Sequence, residues 1–148
     1  MTKTPHTYAD WMEIISELRL RNNDKEVLLA MQQGSIEWQT GVAERFTQKL
    51  WDCVHERINI ATDKFDADAK HWKGEHDIIQ SILNLRRELA YLSQVVNIPS
   101  IPEKFREMYN KSMSDIISKQ QNSLEESAKK DRSGKMLSIV RNHKLTAF

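Results

Sequence analysis

Ile78-Ile-Gln-Ser-Ile-Leu-Asn-Leu-Arg-Arg-Glu-Leu-Ala-Tyr-Leu-Ser-Gln-Val-Val96 is the stretch that decides the fold. Ile78, Ile82, Leu85, Leu89, Leu92 and Val96 return every three or four residues, which is the period of one helix face. Ile79 and Leu83 widen the stripe, and a stripe this broad calls for helical neighbours on two sides.

Downstream, Asn97-Ile-Pro-Ser-Ile-Pro102 breaks the pattern, because proline lacks the backbone donor and pushes its predecessor out of helical geometry. Ser100-Ile-Pro-Glu103 has the S-x-x-E form of a capping box and predicts the next helix start. That helix carries Phe105, Met108, Tyr109, Met113, Ile116, Ile117, Gln120 and Leu124. Glu107 and Lys111, Asp115 and Lys119, Glu125 and Lys129, and Glu126 and Lys130 are spaced i,i+4 in the favourable acid-to-base order. Ser133-Gly134 then allows a break before Met136, Leu137, Ile139 and Val140.

Upstream, Val42, Phe46, Leu50, Trp51, Val54, Ile58, Ala61 and Phe65 predict a long helix running to about Trp72. Gly74 is expected to close it in the left-handed conformation. Tyr8, Trp11, Met12, Ile15 and Leu18 form an earlier helical face, with Trp11 and Trp51 expected in the core. Asp24 is the expected N-cap of a short helix bearing Val27, Leu28 and Met31, and Gly34 its left-handed terminator. No alternating run proposes a strand. The expected fold is all-α: an antiparallel bundle of four main helices plus one or two short ones.

The 148 residues fit one domain, and the low counts of Gly (4) and Pro (3) suit long helices with few turns. The lone Cys53 excludes an intramolecular disulfide and suits a reducing compartment. Met1-Thr-Lys-Thr-Pro-His lacks the apolar core of a signal peptide, and no apolar run approaches the ~20 residues that span a bilayer. The expectation is a soluble cytoplasmic protein with no membrane partner and no cofactor. Its oligomeric state is not legible.

The net charge of +1 hides an asymmetry. Residues 1–128 hold 16 Lys/Arg against 20 Asp/Glu, whereas residues 129–148 hold six against Asp131 alone. An acidic helical bundle over 1–128 followed by a basic tail or docking helix over 129–148 is the expected organisation.

Candidate chemistry is sparse. Asp52-Cys-Val-His55 and Asp68-Ala-Lys-His71 place a carboxylate and an imidazole on one helical face. On one helix, 16 residues separate the pairs by about 24 Å and about 160°, so they cannot share a metal. Asp68, His71 and His76 are the residues from which a single metal site could be built, and a solvated charged face is the simpler reading. Cys53 and His55 diverge by about 200° on a helix and form no nucleophile–base pair. Ser133-Gly134-Lys135 lacks the earlier glycine of a phosphate loop, since position 129 is Lys.

The first functional expectation is therefore a non-catalytic interaction module, a subunit or adaptor that binds a protein partner through Trp38 and through Met136, Leu137 and Val140. The second is a nucleic-acid-binding subunit of a ribonucleoprotein or defence complex, using Lys129, Lys130, Arg132, Lys135, Arg141 and Lys144. A metal-dependent enzyme is the third. Deleting residues 129–148 is expected to leave a folded bundle.

Overall fold

A computed structural model describes residues 2–35 and 42–145 of the chain. The fold is all-α, with the helix packing of a bundle and no strand among the described residues. Six helices follow in order: α1 (Tyr8–Leu20), α2 (Asp24–Gln33), α3 (Val42–Ala69), α4 (Glu75–Val95), α5 (Glu103–Ala128) and α6 (Lys135–Asn142). They form two compact units, Met1–Arg57 with Leu92–Asn110, and Ile58–Tyr91 with Lys111–Phe148. Helices α3, α4 and α5 contribute residues to both.

In the first unit, α1 opens with a capping box that the sequence reading did not single out. The Thr7 hydroxyl accepts from the Asp10 amide at 3.1 Å, and Asp10 accepts in return from the Thr7 amide at 3.3 Å. Trp11, Ile14, Ile15 and Leu18 turn inward, and the Trp11 ring packs on Phe46 with centroids 4.8 Å apart. Gly34 is not the left-handed terminator expected of it, for its φ is −70° and its ψ 159°. Its lack of a side chain serves close approach instead: a Cβ there would meet Trp11 Cζ2 at 2.7 Å and Pro5 Cγ at 2.8 Å. Ser100 likewise does not cap α5. Its hydroxyl donates to the Gly34 carbonyl at 3.1 Å, and α5 starts only at Glu103.

Arg57 is the charged residue that the apolar pattern conceals. It is 2% exposed, and its guanidinium donates to the Leu18 carbonyl at 3.0 Å and to both carboxylate oxygens of Asp24 at 3.0 and 2.9 Å. Leu18 lies in the last turn of α1, where carbonyls lack helical partners, and Asp24 lies in the first turn of α2. One side chain of α3 thus fixes both sides of the α1–α2 turn through a bidentate, charge-assisted fork. Asn97 and Asn110 exchange amide hydrogen bonds at 2.9 and 2.8 Å, which tie the proline-rich connection to α5.

In the second unit, Ile58, Phe65, Ile78, Ile82, Leu85, Leu89, Met113, Ile117 and Leu124 are buried. Leu83, read as widening the α4 stripe, is 38% exposed and lies at its margin. The i,i+4 ladder expected along α5 is replaced at its end by other pairs: Lys129 meets Glu126 three residues back, and Arg141 meets Glu125. Val140 and Leu145 have no accessible surface, and the Leu145 amide donates to the Gln121 side-chain oxygen at 3.0 Å. The division expected at residue 128 therefore falls inside this unit.

Candidate binding cleft of the second unit

Two turns build the cleft. After α3 the chain tightens, with Lys70 N bonding to Ala67 O at 3.3 Å and His71 N to Asp68 O at 3.0 Å. These three-residue spacings end the helix at Ala69, short of the Trp72 expected from periodicity. Trp72 then folds back. Its indole nitrogen donates to Ser81 Oγ at 3.0 Å, and its ring meets Phe65 edge-on at 5.6 Å and 78°. Gly74 has no positive φ, contrary to its expected role; its carbonyl accepts the Ile78 amide as α4 begins.

After α5, Gly134 takes the left-handed conformation (φ 74°), which a side chain would strain. Asp131 organises this turn. Its carboxylate accepts from Ser133 N at 3.3 Å, from Ser133 Oγ at 2.7 Å and from Met136 N at 3.1 Å. Bonds to the charged form, the Ser133 hydroxyl foremost, hold this carboxyl below its ordinary range. The free amides of the first α6 turn are thereby partly satisfied.

Between the starts of α4 and α6 lies a cleft of about 900 Å³. Trp72, Ile78, Met136 and Ile139 give it apolar walls; Glu75, Asp131, Lys135 and His143 are polar residues that also line it. Its size lies within the range of known binding sites, about 300–1,000 Å³. Asp131, Ser133 and His143 together suggest a nucleophilic relay, but their bonds do not form one. The Ser133 hydroxyl is bonded to Asp131, and His143 Nδ1 engages the Ile139 carbonyl at 3.0 Å. A triad needs the imidazole bonded to the hydroxyl and oriented by the acid.

The expected site residues separate into groups. Met136 lines the cleft and Leu137 keeps partial exposure, whereas Val140 is fully buried and anchors α6 within its unit. Lys129, Lys130, Arg132, Lys135, Arg141 and Lys144 are all exposed. Of these, Lys129 and Arg141 have carboxylate partners, and the other four make no ion pair among the described residues. Asp68, His71 and His76 are not brought together: no group of three or more His, Cys, Asp or Glu could hold a metal among the described residues, and Asp68 pairs with Lys64 at 2.6 Å. Trp38 lies outside the described residues. Cys53 is buried, and burial raises its thiol pKa.

Trp51 differs from its expected core placement, being only half-buried between Tyr109, stacked at 4.8 Å, and His55 at 5.8 Å. The residue that sequence reasoning missed is Trp72. The available signal was a tryptophan at the end of an apolar stripe, two residues before a glycine.

No protein-family model matches the chain, nor does any curated protein or solved structure. Among the described residues, no helix is long and apolar enough to cross a membrane.

Proposed function

We propose that the protein is a non-catalytic interaction module, a subunit or adaptor that binds a protein partner through the cleft of the second unit. The observation that carries this reading is the preset apolar surface of that cleft, walled by an indole held in place by Ser81 and Phe65. A fixed aromatic side chain gives up little freedom on binding, and tryptophan is enriched among the residues that dominate interface energies. Placing a photo-cross-linking residue at Ser138, an exposed position in the lining, tests it in the native host. The expected product is a discrete protein adduct that is absent when the probe stands at Gln48, an exposed position of the first unit. Equal labelling from both positions, or none from Ser138, contradicts the proposal.

The exposed cations favour a second reading, nucleic-acid binding. It requires affinity for an oligonucleotide that falls by orders of magnitude between about 50 and about 200 mM salt. A weak salt dependence removes it.

A further inference from the structure

We infer that the segment bound in this cleft is an acidic amphipathic peptide, with apolar side chains seated between Trp72 and Ile139 and carboxylates facing the surrounding cations. This rests on the docking reading above and adds the chemistry of the partner.

Charge around the cleft carries the inference. Lys135 lines it, and five more cations stand next in sequence to lining residues: Lys73 beside Trp72, Lys130 and Arg132 on either side of Asp131, Arg141 before Asn142, and Lys144 after His143. All six are exposed, and among the described residues Arg141 alone of them makes an ion pair, with Glu125 at 3.3 Å. The opposing carboxylates are Glu75, Asp77 and Asp131. Two of these accept from backbone amides, Asp77 from Lys73 at 2.9 Å and Asp131 from Met136 at 3.1 Å. Over the lining residues and their sequence neighbours, six cations thus stand against three carboxylates, although Glu75 and Asp131 line the hollow itself beside Lys135. A segment that fills the hollow must bring side chains for the walls and anions for the rim. Rim charges of this kind speed encounter and reject like-charged competitors more than they add affinity. A nucleic acid would satisfy the cations and leave Ile78, Met136 and Ile139 without apolar partners.

The test is selection of a display library of random linear peptides on the immobilised full chain. Selected sequences are expected to place Asp and Glu around apolar anchors. A synthesised winner should lose about tenfold in affinity on Lys135→Glu with Arg132→Glu, and at least as much on Ile139→Glu. Should Ile139→Glu disturb α6, Ser138→Tyr fills the cleft from an exposed position, and circular dichroism confirms its helix content. Winners that are apolar without acids, unmoved by the charge reversals but lost on Ser138→Tyr, overturn the acidic partner and leave the docking reading standing. Winners indifferent to Ser138→Tyr, or no winners at all, overturn both. Binding of an oligothymidylate that is lost on the charge reversals, with no peptide selected, also overturns both and favours nucleic acid.

Discussion

The two units solve the same packing problem with opposite surfaces. The first carries 9 Lys/Arg against 11 Asp/Glu, the second 13 against 10. In the first, the chain before α1 is drawn onto the core: Pro5 is buried against Gly34, the Ser35 amide donates to the Pro5 carbonyl, and Arg57 secures the α1–α2 turn from within. A hollow described there holds about 160 Å³ and is lined by Lys3, Asp10, Glu13, Ile14 and Glu17. In the second, two helix starts stand apart over apolar side chains and leave about 900 Å³ open. A surface that costs stability by remaining apolar and uncovered is where binding is to be sought.

The comparison breaks most readily where each unit is held together. Deleting residues 129–148 removes Val140 and Leu145 from the second core, each worth about 1.5–3 kcal/mol of buried aliphatic surface. A loss of about 3–6 kcal/mol in urea unfolding is therefore expected, in place of the folded truncation that the sequence suggested. An unchanged midpoint would make the tail dispensable. Arg57→Ala removes the bidentate fork to the partly exposed Asp24 and this donor to the Leu18 carbonyl, and should cost about 1–3 kcal/mol by the same measurement. Gly34→Ala forces a methyl group against Trp11 and Pro5 and should cost about 1–3 kcal/mol. A neutral result would mean that the segment before α1 is not seated there.

Two smaller effects sharpen the contrast. Cys53 is buried and its thiol is raised by desolvation, so a thiol reagent should modify it only as fast as the first unit opens. Prompt stoichiometric labelling of the native protein would show that this core is not closed. Asp131 has a lowered pKa in the folded state, so its contribution is present above the ordinary carboxylate value of about 4. It is lost as pH falls through the lower folded value. Protection factors of the amides at the start of α6, taken against their intrinsic exchange rates at each pH, should fall in that acid range, and Asp131→Ala should abolish this fall.

Periodicity made the helices legible because burial of one face is what a helical apolar repeat encodes. Phe46, Leu50, Val54, Ile82, Leu85, Leu89 and Leu92 are all buried. The turns were less legible, since one residue type can serve several needs. Gly34 and Gly74 were both read as left-handed terminators, yet one makes room for Trp11 and the other precedes α4 at ordinary φ. Ser100-x-x-Glu103 had the form of a capping box, and Thr7-x-x-Asp10 proved to be one. Arg57 was hidden because a local pattern cannot show that a carboxylate 33 residues away will neutralise it. The cleft was half legible: Met136 was singled out from composition, but its pairing with Trp72 and Ile78 depends on two turns meeting in space.

The most direct test of the central claim is amide hydrogen exchange on the full chain with and without a peptide selected against it. The account predicts slowed exchange confined to residues 72–82 and 131–143, with α1 and α2 unchanged. Protection spread over α1 and α2, or absent from the starts of α4 and α6, would contradict it.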